Sequence, residues 1–269
     1  MTLLVAVVAV GVTLMLRGHG HRTPATHVGR DSVVPSPHVV DRARIRGFCR
    51  DRRWRTLNAP HQEGAAVFVQ VFQGQVTDAG QVRQALEDWV ERLAPDAEGW
   101  LGSTAGVAED GTFVGVARFA SPEAAQRNSG RAVQGEWWSG ASKLFSGEVA
   151  FHDCSEVDTG RGGGSDRAGF VQVIQGRTDD VPRMRELTAV LDERSSAVRP
   201  DLLGFFTALH DGEEGAFTQV AYFTSEEDAR AAERGEPPAE VAETLREEFD
   251  LMQDVRYHDL REPWLHSPR

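Results

Sequence analysis

A chain of 269 residues has room for one large domain or two small ones and can bury a substantial core. At 40% hydrophobic and 26% charged it has the composition of a globular protein, not of a disordered one. The formal charge of −12 is uneven: residues 17–64 carry ten Arg against four acids, leaving −18 on residues 65–269, and an acidic body of that size excludes a nucleic-acid backbone as partner.

Lys143 is the only lysine, which reads as codon bias of a GC-rich genome and not as a functional choice of guanidinium. Cys49 and Cys154 fall in different regions, and two thiols make neither a disulfide framework nor a zinc site. A reducing, cytoplasmic setting follows as the expectation.

Residues 2–16, TLLVAVVAVGVTLML, form an apolar run shorter than the roughly 18–20 residues a bilayer span needs. No cationic segment precedes it and no small-x-small cleavage site follows. A membrane role requires that residues 1–16 be translated and insert; the arginines beyond would then keep the chain on the cytoplasmic side. The stretch up to residue 64 is rich in Arg, His and Pro and has no helical or strand period. It reads as a basic linker, a disordered tail, or the product of a start codon placed too far upstream. Its HGH at 19–21 could bind a metal adventitiously, but reads first as part of a disordered His-containing tail.

From residue 65 the pattern changes. FVQVFQG at 68–74 returns as FVQVIQG at 170–176, with six of seven letters identical. Val82, Leu86, Trp89, Val90 and Leu93 follow at helical spacing, matched by Met184, Leu187, Val190 and Leu191. PDAEGWLGS at 95–103 and PDLLGFFTA at 200–208 are turns leading into strands, and Gly-containing turns reverse the chain into FVGVARF and FTQVAYF. Ser121 and Ser225 are placed as N-caps of second helices, which Gly130 and Gly135 interrupt in one copy and Pro237-Pro238 in the other. EVAFHDC at 148–154 and DVRYHDL at 254–260 close the copies. Each unit reads β-α-β-β-α-β, the split arrangement of a ferredoxin-like fold. The expected organisation is a tail at 1–64, repeats at 65–157 and 167–265, and a Gly-rich flexible linker at 158–166.

A four-stranded sheet of this kind carries helices on one face only. Its strands here are apolar on both faces, with Val69 and Val71 on one and Phe68 and Phe72 on the other, so the bare face needs a cover. The second copy supplies it. The expectation is α+β: an intramolecular barrel of two repeats, monomeric because one chain holds both halves.

These tandem units with FVQV first strands resemble the dimeric α+β barrel superfamily, in particular antibiotic-biosynthesis-monooxygenase-like (ABM-like) domains, over about residues 65–265. The resemblance implies a small-molecule pocket in the barrel and oxidation of an electron-rich phenol or quinol without metal or flavin, hence no cofactor. Haem-degrading relatives use an Asn, a Trp and a His in concert; this chain has Gln at the first-strand position, a departure from that pattern.

In the barrel interior the candidate ligand contacts are Gln70 and Gln172, which stand among Phe68, Phe72, Phe170 and Ile174 on the face opposite Val69 and Val71. His152 and His258 are the candidate general bases. Trp100 is a candidate wall, and Arg118 and Tyr222, at equivalent places on their strands, are candidate contacts. Plainer readings stand beside these: the amides and imidazoles satisfy one another or the strand edges, and the aromatics fill an ordinary core. There is no Ser-His-Asp constellation, zinc-ligand spacing or nucleotide fingerprint. Two functions remain: a barrel binding, and oxidising, an aromatic small molecule, or a non-catalytic module for protein association or stress response.

Overall fold

In the computed structural model, residues 67–195 and 197–268 are described. The expectations for residues 1–64 lie outside them. No helix among the described residues is long and apolar enough to cross a membrane.

The first repeat runs β1 (Phe68–Gln75), α1 (Ala79–Arg92), β2 (Trp100–Val107), β3 (Thr112–Phe119), α2 (Pro122–Ser129), α3 (Ala132–Ala141) and β4 (Ala150–Cys154). The second runs β6 (Phe170–Thr178), α4 (Val181–Ser195), β7 (Leu202–Leu209), β8 (Ala216–Phe223), α5 (Glu226–Glu233), α6 (Ala239–Leu251) and β9 (Met252–Leu260). The helix starts are where side-chain caps put them. Asp78 accepts from Gln81 N at 3.0 Å, Ser121 from Ala124 N, and Ser225 from Asp228 N. In both copies the second helix is broken, between Ser129 and Ala132 and between Glu233 and Ala239.

Two short strands complete the sheets by exchange. β5 (Glu156–Gly160) follows the first repeat but pairs with β7 of the second, and β10 (Trp264–His266) follows the second but pairs with β2 of the first. The orders are β10-β2-β3-β1-β4 and β5-β7-β8-β6-β9, five strands each where four were expected. The segment read as a flexible linker from residue 158 therefore begins as the end of a strand. Arg161 (φ 52°), Gly162 (φ 83°) and Gly163 (φ 78°) then turn the chain. Arg161 donates to Asp192 and to the Arg199 and Leu202 carbonyls, which ties that turn to the second repeat.

The sheets face each other through their valines. Val69, Val71, Val114 and Val116 pack with Val171, Val173, Phe206 and Val220 in one buried cluster. The repeats thus cover each other, as the two-faced apolar strands required. The opposite faces lie under the helices: Phe68, Trp89, Trp100 and Phe119 form one core there, and Phe170, Met184, Leu191, Phe205 and Phe223 the other.

Candidate functional site

The barrel interior was the expected pocket, and it is closed: Val69, Val71, Val171 and Val173 are each fully buried in it. Gln70 and Gln172 do not face it. Successive strand residues alternate in direction, so with the valines inward both glutamines point to the helix side.

On that side the first repeat holds a cavity of about 80 Å³ between its sheet and helices α1, α2 and α3. On a scale of roughly 10–15 Å³ per water this takes several waters or a small ring. Its walls include Trp89, Trp100, Trp137 and Trp138, with Phe72 and Phe151. Trp89 meets Trp100 edge-on at 5.4 Å, and Trp138 meets Phe151 at 5.3 Å. Phe72 stacks on Phe151 at 6.1 Å. Gly115 makes room for Phe72: a Cβ there would sit 2.4 Å from its ring. Phe151, 48% exposed, is the wall that solvent reaches.

The aromatic walls are held by hydrogen bonds. Trp89 Nε1 donates to Gln134 Oε1 at 2.6 Å and Trp137 Nε1 to the Ala85 carbonyl at 3.0 Å. Arg131 clamps the broken helix, donating to the Leu93 carbonyl and Asn128 Oδ1. The polar lining is Gln70, Ser103, Asn128, Ser129 and Gln134, all neutral. Gln70 Nε2 donates to Asp153 Oδ1 at 2.8 Å, leaving Oε1 as its acceptor. Trp100 Nε1 is buried without a partner. A buried donor left unpaired costs stability unless something meets it.

The second repeat has the same strand framework and fills it. Gln70–Ala117–Ser103 lie side by side across β1, β3 and β2; the matching row across β6, β8 and β7 is Gln172–Ala221–Phe205. Phe205, 3% exposed, stands where the first copy has Ser103. Gln172 Nε2 donates to Asp259 Oδ1 at 2.7 Å, repeating the Gln70–Asp153 pair. Asp259 is also bound by Arg230, which pairs with Glu233 and lies over the Phe170 ring. Gln172 Oε1 is left buried and unpartnered.

Of the predicted site residues, only Gln70 and Trp100 line the cavity. Arg118 and Tyr222 share the parity of Val116 and Val220 and face the space between the sheets. Tyr222 OH bonds Thr104 Oγ1 at 2.7 Å, and its burial raises the phenol above its usual range while Arg118 partly offsets this. His152 and His258 also turn away from the cavity, on the side of Cys154 and Leu260. His258 has its pKa lowered, chiefly by burial, and lies 3.5 Å from Gln73 Nε2 across the repeats. His152 Nδ1 is 2.7 Å from Glu213. Trp89, Trp137, Trp138 and Ser103 were not singled out as site residues. The signal that could have found them is the asymmetry of the copies: Trp against Leu191, and Ser against Phe205, at matching places.

Two β-α-β-β-α-β units closed face to face in one chain define an α+β barrel of the dimeric type, here completed intramolecularly. Solved structures share this fold at low sequence identity. No family model matches the sequence, and no curated protein does. Among solved structures, a proposed monooxygenase from Fusobacterium nucleatum superposes with TM-score 0.60 at 10% identity, over 76% of this chain and 95% of that one. A proposed monooxygenase from Lactobacillus acidophilus gives 0.57 at 11% identity, over 75% and 100%. An anthrone oxidase-like protein gives 0.54 at 12%, over 76% and 94%. Likeness at this identity concerns the fold.

Proposed function

We propose that this chain binds a flat, electron-rich aromatic molecule, a phenol or quinol, in the first-repeat cavity, the second repeat serving as its structural half. The observation that carries this is the contrast between copies on one framework. Four tryptophans surround open space beside Ser103 in the first, and Phe205 occupies the matching place in the second. Aromatic walls favour offset or edge-on contacts with a ring. Gln70 Oε1 can accept from a ligand hydroxyl, and Trp100 Nε1 is a donor in want of an acceptor.

The reading extends to oxidation, the activity named for the two bacterial structures above. In such a step the ionised substrate gives four electrons to dioxygen; one oxygen atom becomes a ring carbonyl and the other leaves as water. A second reading, binding without turnover, is favoured by the lining itself, because none of its polar side chains is a proton acceptor of useful strength near neutral pH. Quenching of tryptophan fluorescence by phenols, quinols and anthrones tests binding in either case. Oxygen uptake with the same compounds separates the two: consumption with quinone formation supports the oxidase, and saturable quenching without consumption supports the binder.

A further inference from the structure

We propose that His152, His210 and Glu213 form a binding site for a divalent transition-metal ion, zinc fitting the donor set, where the two repeats meet. One ring nitrogen from each histidine and one carboxylate oxygen lie within 4.8 Å of one another. His152 Nδ1 is 2.7 Å and His210 Nδ1 3.9 Å from Glu213 Oε1. With metal–ligand bonds of about 2.0–2.2 Å, tetrahedral donors stand ~3.3 Å apart, so closure needs movements on the order of an ångström. Two imidazoles and a carboxylate, with one position left to water, are a zinc donor set.

His210 is the independent pointer to a ligand. Its side chain is 7% exposed, and Nδ1 is buried with no hydrogen-bond partner. Its Nε2 is 2.8 Å from Thr218 Oγ1, a contact that fixes the ring and, with the proton on Nε2, leaves the Nδ1 lone pair free. The rings of His152 and His210 stack at 4.1 Å with 19° between planes. They must tilt to share an ion, and His152, 21% exposed, is the one at the surface that can turn.

The surroundings hold the parts in place. The turn after β7 is joined to β4 and β5: Asp211 N donates to the Asp153 carbonyl at 2.8 Å, and Ser155 donates from N and Oγ to the Asp211 carboxylate. At the opposite, pseudo-symmetric end His258 has a carboxylate neighbour in Asp110. Ala108 stands there in the place of His210, as the matching turn hydrogen bonds show, Ala108 N to Thr112 O and His210 N to Ala216 O. Only one end carries the second imidazole. The ion would join β4 of the first repeat to the β7–β8 turn of the second, on the sheet face away from the aromatic cavity.

The test is titration of the full chain, stripped with chelator, with zinc by calorimetry and with cobalt by visible absorption. The His19→Ala/His21→Ala variant serves as background, which removes any adventitious binding by that HGH sequence. Expected are one saturable equivalent, cobalt d–d bands of a four- or five-coordinate ion, and a rise in Tm with metal. His152→Ala and Glu213→Gln, both at the surface, should each weaken binding at least tenfold and leave the metal-free Tm within a few degrees. No equivalent in the tail variant, or an equivalent that both substitutions leave intact, would overturn the site.

Discussion

Replacing Glu248 by Gln should make the protein more stable at mildly alkaline pH and leave it unchanged in acid. Glu248 projects from α6 to accept from Thr188 Oγ1 of α4 at 2.6 Å, and it is 4% exposed. Burial is the first cause that raises its pKa, from 4.5 to about 7, with the Thr188 bond pulling the other way. A raised carboxyl pKa means that the folded state keeps a proton the unfolded chain gives up. The stabilisation is complete below about pH 4.5, declines as pH rises to about 7, and is then gone. At ~1.4 kcal/mol per tenfold change in proton affinity, a carboxyl raised from 4.5 to about 7 costs on the order of 3 kcal/mol at pH 8. Gln copies the shape of the neutral acid and escapes that cost. For a domain of this size the gain corresponds to about 6–12 °C in Tm. The assay is urea denaturation of both proteins across the pH range, taking their difference. His210, whose pKa is lowered to about 4 by burial and by His152, tilts both curves the opposite way below pH 6.5 and cancels in that difference. A difference that is flat with pH, or a Gln variant weaker at pH 8, would refute a buried proton on Glu248.

Trp264→Ala, near the C-terminus of the second repeat, should destabilise the first, because β10 lies on β2 and Trp264 packs 6.1 Å from Phe113. The expected loss is about 3–5 kcal/mol, read from denaturation midpoints; a near-neutral midpoint would show that the strand exchange contributes no packing. Phe68→Ala and Phe170→Ala, buried at 5% and 0% on the helix faces, should each cost about 3–5 kcal/mol as well. In sedimentation the full chain should run as a monomer, since each sheet's inner face is already covered by the other; a concentration-dependent dimer would contradict this.

The architecture was legible because the repeat wrote it twice. FVQV, the capping serines and the broken second helices each appear in both copies, and the doubly apolar strands demanded a cover. The exchange of β5 and β10 was not legible, because three- to five-residue edge strands carry too short an alternation to stand out beside a glycine-rich turn. The face of Gln70 was misjudged for a physical reason. Both faces of β1 are apolar, so periodicity shows that they differ but not which one meets the helices. Valines dominate the tight sheet-on-sheet contact, and most of the larger aromatics go under the helices, where space for a ligand remains. The His152–His210–Glu213 group was hidden because it joins residues of two repeats at no ligand spacing. The aromatic cavity was hidden because only the differences between the copies, Ser103 against Phe205 above all, mark it.

Those differences also supply the most direct test. Ser103→Phe puts the second copy's residue into the first copy's cavity, in a row whose other members, Gln70 and Ala117, match Gln172 and Ala221. Tryptophan fluorescence would be titrated with a panel of phenols, quinols and anthrones on wild type and variant, with Tm measured for both. The expected result is a ligand that quenches wild type saturably and fails with a folded Ser103→Phe. A ligand bound equally well by the variant, or no ligand for the wild type across the panel, would contradict the claim that the first repeat's aromatic cavity is the working site.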